Sequence, residues 1–593
     1  MSTMTGILSR TSTHRIPEVL FNELCNSLNK HGKGRLIEHR SDQFCVAKID
    51  LGIFPSLGLH VDAITGTVSA IVGEPYLVTT KETEVSKREN DLICLHEAFK
   101  MEQWDILRNA CGIFSIAHYN PTTNVFTLAT DKLGIRPVYI WYNEKFLVFS
   151  TLLRVIEEVS FIPKIMDALA VAQIIQLGYP LGRRTPYADI DMFESAEQLI
   201  MKNGERKTRF YHQWDDESKL DISKYDVPKE VQKRFKAAVK RRLKGQIQGT
   251  AFLSGGLDSR CVVSVLREFN VDVHSYGFSL PGTQDDVFAR MFAEKTGCNH
   301  RSIGRKERAM LLHQGQWSFA IADAIDIGYD KGHHHKTHTA VWSGDGGSVS
   351  VGFVYFEKSF NALLQKGDIK QAIDLHLLHN FSSISKHVLS SKVTDQVLAA
   401  TTKGIEIELD KIKCNDPIRR FNLYLMKNDQ RRHLVGHFET IDQHGIELIL
   451  PFFDSNFLDL ILRLPTEQCL AHRFYHLWLR EMNPSVTAVP WQTYPGHEAC
   501  PVSAPQKLEC QWDFKQHAKK NIHKKYTLQR GVEILRERKF PHSILNKFAF
   551  RLFHLTFRFG LRNSNWAIET MENYIKYSKK TNGKYIMNDV EKL

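Results

Sequence analysis

The spacing of hydrophobic residues changes near residue 215 and divides the chain into two kinds of segment. Between about residues 6 and 211, short alternating runs end at turn signals such as Asn120-Pro121, which predicts antiparallel sheets in an α+β arrangement. Beyond Asp215-Asp216, helices alternate with short apolar strands, which is the pattern of an α/β fold with a parallel sheet. The predicted strands of that sheet are residues 250–253, 273–278 and 340–342.

A chain of 593 residues is too long for one hydrophobic core, so several domains are expected. The sequence becomes polar after about Trp491, passes a proline-containing linker at residues 501–505, and then turns basic with helical spacing. We therefore predict three domains, namely residues 1–212, residues 213–500 and a basic, helical C-terminal extension over residues 501–593.

Bulk composition indicates a soluble globular protein, with 42% hydrophobic and 24% charged residues. No apolar run reaches the ~18 residues of a membrane span. The polar stretch from Met1 to Arg15 lacks the apolar core of a signal peptide, so we expect a cytoplasmic protein. The ten cysteines include no Cys-x-x-Cys pair, which favours reduced thiols over zinc sites or disulfides.

The formal net charge of +12 fits three explanations, which are nucleic-acid binding, an anionic membrane surface and solubility alone. Much of the excess lies in residues 229–244 and 515–580. In the first segment, apolar residues spaced by four predict an amphipathic helix whose basic side is a solvated face. These apolar residues are Val231, Phe235, Val239 and Leu243. Nucleic acid is therefore not expected as a partner.

The second basic segment carries an apolar stripe at helical spacing. Its apolar members are Phe548, Leu552, Leu555 and Phe559; Arg551 and Arg558 lie between them and Arg562 follows. Such a stripe usually belongs to a core or a subunit contact. A helix that lies on a membrane surface is the alternative.

Residues 251–260 carry an apolar strand into the loop Ser-Gly-Gly-Leu-Asp-Ser at 254–259 and then into a helix. The two glycines let the backbone turn tightly and bring its N–H groups against an anion, and the hydroxyls of Ser254 and Ser259 add donors. Asp258 cannot bind a bare phosphate, so we expect it to hold a cation. The alternative is a Gly-Gly turn with no ligand.

Four further segments follow this loop in order. Residues 282–286 precede a helix that ends near residues 297–300, and residues 343–348 (Ser-Gly-Asp-Gly-Gly-Ser) form a second glycine loop after a short strand. Residues 447–454 (Glu-Leu-Ile-Leu-Pro-Phe-Phe-Asp) lead into an apolar helix, and residues 474–481 form a helix before Pro484.

In order and spacing, these five segments resemble the synthetase domain of asparagine synthetase and its relatives, including β-lactam synthetase. The 254–259 loop resembles the PP-loop of enzymes that split ATP into AMP and pyrophosphate. The resemblance implies an N-terminal Ntn-hydrolase-like, glutaminase-like αββα sandwich, followed by a PP-loop ATP pyrophosphatase domain with a parallel sheet. It implies a ligase of the kind used in asparagine biosynthesis, which adenylates a carboxylate and transfers nitrogen to it.

The same resemblance implies ATP and Mg²⁺ as cofactors, with a small-molecule carboxylate and an amine or ammonia as partners, and a homodimer as a candidate assembly. It assigns catalytic roles to Asp258, Asp345, Glu447 and His476. It assigns contacts with ATP to Phe252, Ser254, Gly255, Gly256, Leu257, Asp258, Ser259, Ser343 and Gly344. Asp258 and Asp345 are the implied metal ligands. No motif selects aspartate over other carboxylates.

The N-terminal part resembles the glutaminase domain of the same family at residues 129–139 and 148–152, so the resemblance spans about residues 4–490. That domain requires an N-terminal Cys whose free amine serves as general base, and Thr5 stands at its position. Val72 stands where the family has an Asn that binds the oxyanion. We therefore predict an inactive glutaminase. A threonine nucleophile, freed by translation from Met4, is the alternative.

The synthetase part also departs from the family at two positions. Ser348 stands where the second loop should carry a metal-binding Asp, and a hydroxyl is a poor substitute for a carboxylate on Mg²⁺. His476 stands where a Lys contacts phosphate, and histidine is only partly cationic near pH 7. The cluster His333-His334-His335 with His338 is expected to be a lid or phosphate-contacting loop, with a zinc site as the alternative.

Three functions are consistent with these sequence features. The first is an AMP-forming amide ligase that uses free ammonia or an amine. The second is a non-catalytic relative that keeps ATP binding, which Ser348 and His476 favour. The third is a PP-loop tRNA-modifying enzyme, which the charge favours but the N-terminal domain and the lack of paired cysteines oppose.

Overall fold

The computed structural model describes residues 3–11, 14–54, 56–78, 88–215, 226–277, 279, 281–302, 339–380, 383–441, 445–505, 507–510, 522–561 and 565–587. The chain forms two compact units, each built from separated segments. The first contains Met1–Phe161, Phe193–Glu357 and Leu425–Gln511, and the second contains Ile162–Met192, Lys358–Tyr424 and Trp512–Leu593. The domain limits at residues 212 and 500 stay predictions.

Two facing antiparallel sheets make up the N-terminal part of the first unit. In spatial order, one contains Tyr139–Tyr142, Phe146–Ser150, Thr3–Ser9, Phe44–Asp50 and Arg35–Arg40. The other contains Glu205–Phe210, Glu197–Lys202, Val125–Thr130, Ile113–Asn120, Val68–Glu74 and Leu59–Val61. Neighbouring strands in each sheet are antiparallel. For example, Gly6 of Thr3–Ser9 lies opposite Val46 of Phe44–Asp50.

The core of this region lies between the two sheets, where Met4 and Val72 belong to the same buried cluster. Because successive strand residues face opposite sides, Ile71 packs on the outer face of its sheet with the helix Arg88–Lys100. The helix Glu18–Leu28 contacts the other sheet. The αββα sandwich predicted from the resemblance is confirmed.

Among the described residues, the second half of the first unit contains a five-stranded parallel sheet. In spatial order its strands are Asn299–Ser302, Asp272–Gly277, Gln248–Phe252, Thr339–Trp342 and Ile446–Ile449. Numbered along the chain this order is 3-2-1-4-5, so the direction of winding reverses beside Gln248–Phe252. The parallel sheet predicted from the sequence is confirmed, although Phe278 lies outside the described residues.

Helices surround these sheets in the first unit. They are Leu153–Glu158, Val227–Leu243, Leu257–Glu268, Gln284–Thr296, Gly347–Ser350, Arg431–Ile441, Ser455–Leu462, Thr466–Cys469 and Arg473–Leu479, with a π-helical turn at Met426–Gln430. Short 3₁₀ turns lie at Trp104–Asn109, Pro451–Phe453, Leu470–His472 and Pro484–Val486.

The amphipathic helix predicted over residues 229–244 is present as Val227–Leu243, with its four apolar residues buried. Its basic side is not simply a solvated face, and that part of the prediction is wrong. Arg241 and Arg242 both donate hydrogen bonds to the buried carboxylate of Asp454, at 2.9 and 2.7 Å. A buried carboxylate must be paired, which explains why these two arginines turn inward.

The second unit is mostly helical, which agrees with the predicted helical extension. Its helices are Ala168–Leu177, Lys358–Lys366, Ile369–Asn380, Thr394–Asp410, Pro417–Leu425, Ile522–Arg536, Lys547–Arg558 and Asn565–Lys580, with a 3₁₀ turn at Lys386–Val388 and the parallel pair Met166–Asp167 and Tyr585–Ile586. The apolar stripe of Lys547–Arg558 is exposed, so it is not part of a core, and the alternative assignment to a subunit contact stays a prediction.

Within the described parts of the chain, no helix has the length and apolar character needed to cross a membrane. All ten cysteines lie in the part of the chain that the structure describes, and none of them forms a disulfide there. Their thiols are therefore not part of the covalent framework of either unit.

Candidate active site

Two glycine-containing loops meet at the carboxyl end of the parallel sheet. One follows the strand Gln248–Phe252 and the other follows the neighbouring strand Thr339–Trp342. The winding of the sheet reverses between these two strands, and such a reversal opens a crevice that binds ligands in doubly wound sheets. Both predicted nucleotide loops thus lie where the fold has room for a ligand.

Glycine is required where the second loop approaches the first helix. A Cβ on Gly344 would lie 2.5 Å from the backbone nitrogen of Ser259, and one on Gly347 would lie 2.6 Å from Oδ1 of Asp258. No side chain larger than hydrogen fits at these distances. The helix Leu257–Glu268 begins at this contact, so its N-terminal N–H groups face the crevice.

Asp258 is the centre of the contact between the loops. Its carboxylate accepts hydrogen bonds from the backbone N–H and the hydroxyl of Ser348, both at 2.9 Å, and from the hydroxyl of Tyr475 at 2.8 Å. Burial raises the pKa of Asp258 to about 6, which these hydrogen bonds oppose and the nearby charge of Asp345 reinforces. A cation bound beside this carboxyl would therefore stabilise its ionised form.

Asp345 is held by its own loop. The Ser343 hydroxyl donates to Oδ2 of Asp345 at 2.6 Å, and the Asp345 backbone N–H donates back to that hydroxyl at 3.3 Å. Two carboxylates close enough to influence each other fit Mg²⁺, which binds proteins through one or two carboxylates together with phosphate oxygens. Asp258 and Asp345 are the residues that would hold it.

Hydroxyls and a carboxylate occupy the N–H donors of the first loop. The Ser254 N–H donates to Oγ of Ser259 at 3.0 Å, and the Gly256 N–H donates to Oγ of Ser254 at 3.2 Å. The Gly255 N–H donates to Oδ1 of Asp285 at 3.1 Å. Phe252 ends the preceding strand, one residue before the predicted limit, and Leu257 begins the helix inside the predicted loop. A phosphate that binds here would have to replace these hydroxyls and this carboxylate as the acceptor of the loop N–H groups.

Arg260 lies buried directly behind the loop. Its Nε donates to the carbonyl of Gly256 at 3.0 Å, and its terminal nitrogens donate to the carbonyls of Gly255, Val486, Val489 and Pro490 at 2.8 to 3.4 Å. Burial lowers the pKa of Arg260 to about 10, so the side chain stays charged at neutral pH. The carbonyls of Gly255 and Gly256 point toward this cation. The N–H group of a trans peptide points opposite to its carbonyl, so the N–H groups of these two peptides point away from Arg260.

The two remaining predicted catalytic residues make other contacts. Glu447 forms a buried ion pair with Arg136 of the N-terminal sandwich. His476 has Nδ1 3.5 Å from Oε2 of Glu498 and packs edge-on against Trp491, and burial lowers its pKa. His476 is therefore a weak replacement for a lysine, since the imidazole is mostly neutral at pH 7.

A small cavity of about 30 Å³ lies beside Glu447. Its lining includes Glu74, Tyr76, Arg136 and Arg242. A space of this size accepts one or two molecules as large as water or ammonia, but no amino acid.

The two glutaminase-like positions, Thr5 and Val72, are buried in the sandwich. Thr5 is buried in the middle of Thr3–Ser9, and its hydroxyl donates to the carbonyl of Phe149 at 2.8 Å. Val72 is part of the sandwich core. Neither side chain offers an oxyanion donor or an activated nucleophile.

Tyr475, Asp285 and Arg260 were not singled out by their sequence context, although the structure brings all three to the two loops. Tyr475 and Asp285 lie 217 and 30 residues from their partners, and no local pattern signals such a distance. Arg260 directly follows the loop, but it lies opposite the apolar face of Val262 and Leu266 on a helical wheel, so the local spacing gives no signal of its burial. The histidines at 333–335 and 338 lie outside the described residues.

Comparison with known proteins agrees with this geometry. Residues 230–484 match the family described as Asparagine synthase, and residues 80–212 match the family described as Glutamine amidotransferase domain. The two matches fall on the parallel-sheet region and on the N-terminal sandwich.

Curated relatives are similar at low identity. Putative asparagine synthetase (glutamine-hydrolyzing) 2 of Methanocaldococcus jannaschii is 26% identical over 261 residues, which cover 42% of this chain and 51% of that protein. Asparagine synthetase B (glutamine-hydrolyzing) of Escherichia coli is 22% identical over 312 residues, which cover 46% and 49%. The chain spans about half the length of these two relatives.

Proposed function

Because the chain is a divergent relative of the glutamine-hydrolysing asparagine synthetases, we propose that it is an ATP-dependent carbon–nitrogen ligase that forms AMP. A carboxylate oxygen of the substrate attacks the α-phosphorus of ATP and pyrophosphate leaves. Ammonia or an amine then attacks the acyl carbon of the acyl adenylate, AMP leaves with the bridging oxygen, and the nitrogen loses a proton as the amide forms.

The observation that carries this proposal is the contact of the two glycine loops over Asp258. Charge builds on the leaving pyrophosphate, so the site must supply donors that are already oriented. The loop N–H groups, the start of the helix Leu257–Glu268 and the hydroxyls of Ser254 and Ser259 are such donors. When bound between Asp258 and Asp345, Mg²⁺ would supply neutralisation of phosphate charge.

We assign proton removal from the attacking nitrogen to Glu447. Its carboxylate lines a cavity that accepts a molecule as small as ammonia. The guanidinium of Arg136 forms an ion pair with this carboxylate. His476 would contribute to phosphate binding only in its cationic form.

Free ammonia or an amine is the proposed nitrogen source, because Thr5 and Val72 lack the groups that glutamine hydrolysis needs. The proposed carboxylate substrate is a small-molecule acid. Aspartate is one member of the panel to be tested.

The test is release of pyrophosphate from ATP with a panel of carboxylates, each offered with ammonium, glutamine or a set of amines. We expect release with ammonium or an amine, no gain from glutamine, and loss of release in Asp258→Ala. Lys240→Ala, at an exposed position on another helix, is the matched control. ATP binding without release under any combination would favour the non-catalytic alternative, which the filled hydrogen bonds of Asp258 and the Gly255 N–H support.

A further inference from the structure

The helix Lys547–Arg558 presents large apolar side chains to solvent. Phe548 and Phe559 are 70% and 73% exposed, and Leu552 and Leu555 are 51% and 47% exposed. Leu561, just beyond the helix, is 74% exposed. Apolar side chains grouped on one surface in this way mark an interaction site. These five residues are called the exposed stripe below.

The exposed stripe points away from the body of the second unit. At about 100° per residue, the stripe residues on the helix occupy one narrow arc. The buried residues Phe550 and His554 lie on the opposite side, and the His554 ring packs so closely on Gly531 that a Cβ there would be 2.3 Å from Nδ1. The helix is therefore anchored by one face while the other remains uncovered.

The surroundings of the stripe are basic. The sequence contains no Asp or Glu from residue 538 to residue 568, and six lysines and arginines lie in that stretch, at 538, 539, 547, 551, 558 and 562. Arg551 and Arg558 are exposed on one flank of the stripe. Neither makes an ion pair with any residue that the structure describes. Their charges are thus available to an external anionic surface.

We propose that the exposed stripe docks on an anionic phospholipid surface. An amphipathic helix lies in the interface of a bilayer with apolar side chains among the acyl chains and cationic side chains at the headgroups. Phe and Leu at the centre with arginines on the flank match that arrangement. If a second copy docked through the same face, two basic segments without acidic residues would meet. Repulsion between their positive charges opposes such a dimer.

Vesicle flotation with the full-length chain tests the proposal. We expect binding to phosphatidylcholine vesicles that contain about 30% phosphatidylserine, weaker binding at high salt, and little binding to phosphatidylcholine alone. Leu552→Ser with Phe559→Ser should remove most of the binding. Arg551→Gln with Arg558→Gln should weaken it about 25-fold, since each basic residue near such a surface contributes about fivefold.

Controls separate this site from general basicity and from misfolding. Lys233→Gln with Lys240→Gln removes the same charge from another helix and should leave vesicle binding unchanged. Circular dichroism melts should agree among all variants, because every changed side chain is exposed. Absence of binding by the wild-type chain, or equal binding by the Leu552→Ser, Phe559→Ser variant, would overturn the proposal. So would a dimer in solution that the same variant dissociates without any vesicle binding.

Discussion

Ser348 holds Asp258 through two hydrogen bonds of 2.9 Å, one from its backbone N–H and one from its hydroxyl. The residue that replaces the expected second metal ligand is thus a donor to the first one. With the Tyr475 hydroxyl also donating, several lone pairs of the Asp258 carboxylate are engaged. Metal binding would compete with at least one of these donors, so we expect Asp258 to bind Mg²⁺ more weakly than a carboxylate without them.

Ser348→Asp should increase the affinity for Mg²⁺. The substitution adds a carboxylate and removes a competing hydroxyl donor, and ligand charge is what tunes affinity for hard cations. We expect half-maximal pyrophosphate release at a Mg²⁺ concentration lower by about tenfold. Ser348→Ala, which removes the donor without adding a ligand, is the control. An unchanged Mg²⁺ requirement in Ser348→Asp would contradict this role.

Asp258→Asn should stabilise the metal-free protein at neutral pH. Burial raises the pKa of Asp258 from 3.8 to about 6, so folding favours the protonated carboxyl. This contribution is full below about pH 4 and is lost as the pH rises through 6. Thermal melts from pH 4 to 8 without Mg²⁺ should show Asp258→Asn gaining on the wild type as the pH rises from about 4 to about 6, with a constant advantage at higher pH. Added Mg²⁺ should then raise the melting temperature of the wild type alone. A stability difference that is constant with pH would refute the assignment.

Arg260→Met should strongly destabilise the fold, because five backbone carbonyls would lose their donor. Each buried acceptor left unsatisfied costs about 1 kcal/mol or more, so we expect a loss of roughly 5 kcal/mol in urea unfolding. Arg260→Lys keeps the positive charge but has at most three donors, so its stability should lie between that of the wild type and that of Arg260→Met. Arg480→Met removes an exposed arginine at the end of the helix Arg473–Leu479 and should change stability by under about 0.5 kcal/mol. Equal effects at the two arginines would mean that Arg260 does not hold the loop.

The ion pair of Arg136 with Glu447 should couple the N-terminal sandwich to the parallel sheet. Both side chains are 3% exposed, so breaking the pair leaves a buried, unpaired charge at a cost of about 3–5 kcal/mol. Arg136→Met and Glu447→Gln should each show this loss, and the double variant should lose much less than the sum. The exposed pair Lys202 with Glu102 serves as a control cycle, with a coupling of at most about 1 kcal/mol. Additive losses at Arg136 and Glu447 would argue against the coupling.

Several features could be predicted because they depend on local sequence. Gly255 and Gly256 between an apolar strand and a helix indicated a phosphate loop, and the alternating strands before residue 211 indicated the antiparallel sheets. The contacts of Arg241 and Arg242 with Asp454 could not be predicted, because a basic helix face looks the same in sequence whether it faces solvent or a buried carboxylate. For the same reason the stripe around Leu552 fitted a core as well as a surface.

By itself, the sequence determined which chemistry was present: glycines at the two loops, acids at 258 and 345, and a threonine rather than a cysteine at position 5. These follow from residue type and spacing, which act over a few residues. Only the tertiary structure decided what each group contacts, since Tyr475 reaches Asp258 across 217 residues and Arg136 reaches Glu447 across 311. Such contacts depend on how the sheets pack, and packing is a property of the whole chain rather than of any motif.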